Sequence, residues 1–458
     1  MEVFGSSGTR GVVNDSVTPA SVVELATAVG AHWHAAGADR IAIGRDTRTS
    51  GPALASVAAG TLASGGLDVD RLGVLPTPAV QAYAATESIP AMMITASHNP
   101  PAHNGVKLIG PDGLELQIDT LEAIERRLDA KATTDAAWDA LGEIRTVETA
   151  RDRYVDRVVS AVDRDRIASA DLTVVIDPGH GAGSATSPEI FRRLGCTVRT
   201  VNAQPDGHFP GRDPEPVPDN LSDLRATVDS TDADLGIAHD GDADRAIFVD
   251  ETGTQIEGDA ALAALADAEL SAGDSVVTAV STSRRLGQVA DAAGARVEYT
   301  PIGSTHIVSR IADLESEGRS VPIAGEGNGG ILFPAYGAIR DGAYTAARFC
   351  ELIADEPASQ VVAPYSGSHI VRENVHYDSE AEREAMLEAI ASVAEASGAT
   401  IDRTDGFRLE YDDGWVLARP SGTEPLVRIY AEADTADRAT DLVSEFETAI
   451  REARDVVA

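Results

Sequence analysis

The sequence predicts an α/β protein built from three related α/β units with mixed, largely parallel sheets, followed by a smaller α+β domain. Three observations support this reading. A chain of 458 residues is too long for a single compact core, so several domains are expected. Short apolar runs alternate with helical stretches in an order that recurs three times. The stretch from about His369 breaks that order.

The first unit opens with the strand-like run Ile41-Ala42-Ile43, a Gly-containing turn and a helical stretch from Pro52 to Ser64. A second run follows near Val74, and a third, Ala91 to Thr95, ends in a polar loop. The second unit repeats this with strands at Leu172–Ile176 and Val198–Val201, a helix at Glu189–Leu194, and a third strand, Leu235–Ala238, leading to Asp240. The third unit places strands at Val276–Val280 and Arg296–Tyr299, a helix at Arg284–Ala293, and a third strand, Val321–Ala324, running into Gly325. The last domain is expected to hold a helix near Ala381–Ala396, strands near Arg408–Tyr411 and Trp415–Ala418, and a closing helix after Ala436. Junctions near Ala150, Asp250 and Ser366 divide the chain into domains 1–150, 151–250, 251–366 and 367–458. In such sheets ligands gather beyond the carboxyl ends of the strands, and each unit delivers one unusual polar loop there.

Composition narrows the function. The apolar fraction of 43% is ordinary for a globular protein, and no uncharged apolar run reaches membrane-spanning length. The start, Met1 to Gly5, lacks the order of a signal peptide, so a cytoplasmic enzyme is expected. Cys196 and Cys350 lie far apart and predict neither a metal spacing nor a disulfide framework. Asp and Glu total 74 against 37 Lys and Arg, a net charge of −37 that would repel nucleic acid. Of the basic residues only Lys107 and Lys131 are lysine. An acidic surplus with almost no lysine suits high salt, where screening removes self-repulsion.

Four loops carry chemistry. In Thr95-Ala96-Ser97-His98-Asn99-Pro100 a strand stops at a turn that exposes the Ser97 hydroxyl, although Asn-Pro alone would explain a turn. A Ser-His-Asp hydrolase is a rival, but Ser97 lacks the flanking glycines of G-x-S-x-G. Asp240, Asp242 and Asp244 alternate between two apolar strands and suit a hard divalent cation bound through oxygen. An EF-hand would use Glu251 at its twelfth position, yet Arg245 stands at the sixth, where Gly is required. Three monodentate carboxylates leave room for a phosphoryl oxygen, as Mg²⁺ prefers. Gly325-Glu326-Gly327-Asn328-Gly329-Gly330 fits G-x-G-x-x-G, but the next residues, Ile331 to Gly337, do not read as a helix. It is expected to be a flexible loop offering Glu326 and Asn328 to a polyol. Arg419-Pro420-Ser421-Gly422-Thr423-Glu424-Pro425 with Arg428 combines hydroxyls, a turn of N–H groups and two arginines, a plausible phosphate nest.

These loops, taken in order, resemble the α-D-phosphohexomutases, the family of phosphoglucomutase, phosphomannomutase and phosphoglucosamine mutase. The likeness extends to Phe4-Gly5-Ser6-Ser7-Gly8-Thr9-Arg10-Gly11, Gly44-Arg45-Asp46-Thr47-Arg48 and Asn104-Gly105-Val106-Lys107, and so covers nearly the whole chain. The resemblance implies four domains around a central cleft, with Ser97 as the phosphorylated nucleophile. It further implies Mg²⁺ held by Asp240, Asp242, Asp244 and the phosphoserine, with Arg245 beside that phosphate. Glu326 would grip sugar hydroxyls. Arg419, Ser421, Gly422 and Thr423 would hold the non-reacting phosphate, and Arg10 and Lys107 would assist proton and charge transfer. Many members carry Ser and then His in the third loop, where this chain has Asn328 and Gly330, so its sugar grip is altered.

The function this implies is interconversion of a hexose or hexosamine 1-phosphate and 6-phosphate through a hexose 1,6-bisphosphate, which also serves as activator. The phosphosugar is the expected partner, with no nucleic acid and no membrane, in a monomer or homodimer. The competing readings are a metal-dependent sugar phosphatase, which would release inorganic phosphate, and a non-catalytic sugar-phosphate binding protein, which would bind without isomerising. Glucose, mannose and glucosamine phosphates all remain candidate substrates.

Overall fold

The computed structural model describes residues 8–131, 135–421 and 425–457. Its first three sheets share one plan. In each, the first strand is flanked by two parallel neighbours, and the third strand of the unit hands over to an antiparallel return strand. The first sheet runs Thr9–Val12, His103–Ile109, Ala91–Ile94, Arg40–Arg45, Asp68–Val74 and Ile144–Thr146 across its width. The second runs Gln255–Ile256, Ile247–Asp250, Leu235–Ala238, Thr173–Asp177 and Thr197–Thr200. The third runs Arg296–Thr300, Ser275–Ala279, Ile323–Gly325, Ile331–Phe333 and Gly337–Arg340. Every polar loop of interest in these units joins a third strand to its return strand, and so sits at a carboxyl edge of its sheet. The fourth sheet, His369–His376, Leu426–Ala433, Gly414–Pro420, Phe407–Tyr411 and Thr400–Asp402, is antiparallel throughout.

The central parallel strands are apolar because helices cover both of their faces, while flanking strands such as Thr197–Thr200 are partly exposed and more polar. Val174, Val175 and Ile176 are each fully buried. The helices begin and end where local chemistry dictates. Thr18 and Ser21 form a reciprocal cap on the helix Pro19–Ala35, with Pro at its first position. Ser283 caps Arg284–Ala293, which ends on Gly294 at φ 72°.

A helix also bridges the second and third strands of each unit, at Thr77–Glu87, Ser222–Ser230 and Ser304–Ser316. Parallel neighbours require such a crossover. The third strand of the third unit starts at Ile323 rather than Val321, after the turn that follows the preceding helix. Among the described residues, no helix is long and apolar enough to cross a membrane.

The first three units share a continuous core that includes Tyr83, Ile176, Ala263 and Phe349, while the fourth domain packs around its own. The two cysteines, distant in sequence, meet inside the shared core: the buried Cys350 thiol hydrogen-bonds to Cys196, and both are free. Sequence separation hid a contact made by packing the helix Gly342–Leu352 of the third unit against the second.

The fourth domain docks on the carboxyl edge of the third sheet. Glu432 accepts from Ser283 Oγ at 2.7 Å, Trp415 Nε1 at 2.8 Å and the Arg284 amide at 3.0 Å. The Arg408 guanidinium donates to the carbonyls of Val280 and Thr282 and stacks on Trp415 at 4.1 Å.

Candidate active site

The Ser97 loop leaves the strand Ala91–Ile94, and Ser97 takes the left-handed conformation, φ 49°. Sequence suggests an exposed hydroxyl; the structure buries Ser97, 1% exposed, because the Asp240–Arg245 loop of the second domain packs onto it. Ser97 Oγ donates to Asp240 Oδ2 at 2.6 Å. The approach is close enough that a Cβ at Gly241 would lie 2.6 Å from the Ser97 carbonyl, so only glycine fits there.

Asp240, Asp242 and Asp244 follow the strand Leu235–Ala238 and precede its return strand Ile247–Asp250, so strands and not EF-hand helices flank them. All three are buried, and their ligand atoms lie within 4.8 Å of one another. One oxygen of each, Oδ1, is buried without a hydrogen-bond partner. Three buried carboxylates, each with an oxygen free of hydrogen-bond partners and with ligand atoms this close, fit a hard divalent cation. Burial, aided by Asp244 and Asp242, pushes the Asp240 carboxyl up to about 8, a repulsion that a bound cation would relieve. Burial would also raise Asp244, but Arg340, Lys107 and Arg245 hold it well below the usual carboxylate range.

The opposite oxygens of the cluster are held by cations and a hydroxyl. Lys107 Nζ donates to Asp242 Oδ2 at 2.8 Å and to Asp244 Oδ2 at 2.7 Å, while Thr77 Oγ1 donates to Asp242 Oδ2 at 2.5 Å. Lys107 is only 2% exposed. Burial acts to lower its pKa, but the two carboxylates outweigh it and raise it above the ordinary lysine value. These two carboxylates favour the charged ammonium form of Lys107.

Arg245 stands 3.9 Å from Asp240 and Asp244 and donates to His98 Nδ1 at 3.1 Å. The Arg245 charge and then burial push His98 down to about 2, so the imidazole is neutral. Arg10, on the strand Thr9–Val12, donates to Asn99 Oδ1 at 3.4 Å and lies in electrostatic reach of Asp242, Arg245, Arg340 and Asp244.

The third loop is a tight hairpin turn between Ile323–Gly325 and Ile331–Phe333 rather than a free flexible segment. Glu326 N donates to the Gly330 carbonyl, and Asn328 Oδ1 accepts from Gly330 N at 3.0 Å. Asn328 Nδ2 reaches Glu326 Oε2 at 3.3 Å, and Glu326 is buried. The Gly329 carbonyl accepts from Ala246 N at 3.1 Å, docking this loop on the end of the Asp240–Arg245 loop.

Sequence reasoning missed Arg340. Its guanidinium joins Asp244 Oδ2 at 2.7 Å to Glu115 Oε1 at 3.2 Å, so one side chain from the third domain ties together the second and the first. A Cβ at Gly330 would stand 2.8 Å from Arg340 Cδ, so a side chain there would have to displace Arg340. No motif marks Arg340, because its partners come from distant segments.

Of the fourth loop, Gly422 and Thr423 lie outside the described residues, as do Phe4 to Ser7 of the first motif. Ser421 N donates to the Leu426 carbonyl across the turn, Arg428 Nη1 contacts Tyr430 Oη at 3.4 Å, and Arg419 pairs with Asp405 at 3.0 Å. The same Asp405 oxygen accepts from Ile302 N at the end of the third domain's strand Arg296–Thr300. The structure thus joins the first three loops directly, and anchors the fourth through the third domain.

Such an arrangement serves phosphoryl transfer, in which positioning and charge do most of the work, and this is the class of enzyme that fold and loops define. Family models described as phosphoglucomutase/phosphomannomutase, alpha/beta/alpha domains I, II and III, match residues 1–135, 152–253 and 257–366, and the model of the C-terminal domain matches 374–449. The chain belongs to the phosphoglucomutase/phosphomannomutase family.

A "Phosphoglucomutase/phosphomannomutase" of Thermococcus kodakarensis is 40% identical over 96% of each chain. A "Probable phosphoglucosamine mutase" of Methanopyrus kandleri is 39% identical over 98% of this chain and 97% of its own. Among solved structures, a phosphoglucomutase/phosphomannomutase family protein of Burkholderia thailandensis superposes with a TM-score of 0.85 at 28% identity, covering 99% of this chain and 97% of that one.

Proposed function

We propose that the chain is a Mg²⁺-dependent phosphosugar mutase that interconverts hexose or hexosamine 1-phosphate and 6-phosphate through phospho-Ser97. The observation that carries this reading is the 2.6 Å contact between Ser97 Oγ and Asp240 Oδ2, beside three unpartnered carboxylate oxygens. In the first half-reaction the bond from phosphorus to Ser97 Oγ breaks as a bond to a sugar hydroxyl oxygen forms. The sugar hydroxyl gives up its proton, and Ser97 Oγ ends protonated, donating to Asp240. The resulting 1,6-bisphosphate turns over, and its other phosphoryl group returns to Ser97 with the proton moving the opposite way.

Asp240, Asp242 and Asp244 would hold Mg²⁺, which when bound neutralises charge on the phosphoryl oxygens. Arg245 and Arg10 face the same centre as fixed cations, and Lys107 holds Asp242 and Asp244 in register. Glu326 and Asn328 would grip the sugar, and Arg419, Ser421, Gly422, Thr423 and Arg428 its distal phosphate. The reading includes a cytoplasmic monomer or homodimer, a bisphosphate activator, and domains bounded near 150, 250 and 366. Coupled assays on glucosamine, mannose and glucose 1-phosphates, side by side, test it and rank the sugars. The reading fails if none is isomerised while inorganic phosphate is released, the outcome a phosphatase would give.

A further inference from the structure

We infer that Arg48 is a positioning residue for the Ser97 nucleophile, a buried guanidinium that fixes the nucleophile loop by drawing its carbonyl groups away from the reacting centre. The inference rests on the reading of Ser97 as phosphoacceptor. Arg48 is fully buried, and its five N–H donors all have partners. Nε donates to Asp46 Oδ2 at 3.0 Å. Nη2 donates to the carbonyls of Ser97 at 2.8 Å and Asn99 at 2.6 Å, and Nη1 to those of Pro100 at 2.7 Å and His103 at 2.8 Å. The amide side of Ser97 is held by the same acid: Ser97 N donates to Thr95 Oγ1 at 2.8 Å, and Thr95 Oγ1 donates to Asp46 Oδ2 at 2.7 Å. Both ends of a serine in a left-handed conformation, which costs a non-glycine residue energy, are therefore tied to one Asp46–Arg48 pair.

The second repeat carries a related Asp–Arg pair. Arg212 donates from Nε to Asp177 Oδ2 at 2.8 Å, from Nη2 to the carbonyls of Asp177 and of His239, which precedes Asp240, and from Nη1 to those of Asp213 and Pro214. Asp46 follows, and Asp177 ends, the first strand of its unit, and each Arg grips the loop leaving the third strand. The two arginines come from different places in their units, Arg48 two residues after its Asp and Arg212 thirty-five, yet each joins an Asp at the end of the first strand to a carbonyl on the loop that leaves the third.

The physical reason is electrostatic as well as geometric. Four carbonyl oxygens left free to turn toward a phosphoryl group would repel it, and Arg48 directs them backwards while Ser97 Oγ points at Asp240. Lysine offers three donors from one point and cannot reproduce five bonds in a plane.

The test compares Arg48→Lys, Thr95→Val and Ser97→Ala with the parent enzyme in Mg²⁺, measuring kcat, KM for the sugar 1-phosphate and the rate at which glucose 1,6-bisphosphate phosphorylates the protein. Arg48→Lys should lower kcat and the phosphorylation rate at least about tenfold while KM stays within about threefold, a split that marks a contribution to the reacting geometry rather than to uniform binding. Amide exchange should rise in residues 97–104 and not in the fourth domain. Thr95→Val, which removes only the hydroxyl between Ser97 N and Asp46, should show the same split more weakly, and decides the matter if Arg48→Lys does not fold. Unchanged kcat in the variant that folds, or kcat and KM worsening together, overturns the proposal. If Ser97→Ala is inactive while Arg48→Lys and Thr95→Val are intact, only the role of Arg48 falls; if Ser97→Ala remains fully active, the nucleophile assignment falls and takes this proposal with it.

Discussion

Exchange of Lys107 for arginine keeps the charge and removes the geometry. Lys107 Nζ stands 2.8 Å from Asp242 Oδ2 and 2.7 Å from Asp244 Oδ2 in a slot where the residue is 2% exposed. A planar guanidinium is larger and directs its donors along fixed lines, so it cannot place one proton on each oxygen from a single point. A hydrogen bond to a charged group contributes about 1.5–3 kcal/mol, so loss of one of the two shifts Asp242 or Asp244 at that cost. If the shift is felt in the transition state, turnover falls about ten- to a hundredfold. Lys131 is exposed and past the end of the helix Ile118–Asp129, so Lys131→Arg serves as the control. The assay is the steady-state rate of both variants with bisphosphate saturating. Lys107→Arg at the parent rate, within about twofold, would refute the argument that the site needs a point donor rather than any cation.

Asp242→Asn removes one of the three carboxylates around the converging oxygens; titration calorimetry should show weaker Mg²⁺ binding, with activity recovered only at raised Mg²⁺. The net charge of −37 predicts a melting temperature that rises from dilute to molar KCl, where the Debye length is about 3 Å; a flat response would reject salt adaptation. Burial works to raise the Glu432 carboxyl, but hydrogen bonds from Ser368, Ser283 and Trp415 prevail and lower it from its ordinary value of 4.5. A depressed carboxylate stabilises the fold above its unfolded pKa and loses that contribution as pH falls through the folded one. Attachment of the fourth domain to the third should therefore weaken as pH drops below about 4.5, and less so in Glu432→Gln, as limited proteolysis between the two would report.

Much of this architecture is legible in the residues. The repeat could be read because its first and third strands are short apolar runs, such as Ile41–Ile43 and Leu235–Ala238, bounded by turn chemistry. The crossover helices were harder. Thr77–Glu87 is buried over most of its length, so it lacks the alternation of apolar and polar faces that announces a surface helix. The carboxylate cluster of Asp240, Asp242 and Asp244 was legible because the three are local and alternate. Burial of Ser97 was not, since the Asp240 loop that covers it comes from another domain. Arg340 and Glu115 were invisible for the same reason, as was the contact between the free Cys196 and Cys350. The Arg45 to Arg48 motif could be seen, but its purpose lies in carbonyls contributed by residues 97–103.

The proposed mutase activity depends on one covalent event, transfer of a phosphoryl group to and from Ser97. Peptide mass spectrometry after incubation with glucose 1,6-bisphosphate and Mg²⁺ measures it directly. Phosphate should appear on the peptide containing Ser97, be lost on addition of excess sugar monophosphate without matching release of inorganic phosphate, and be absent in Ser97→Ala, which should not isomerise. Isomerisation by a protein whose Ser97 peptide never carries phosphate would contradict the account.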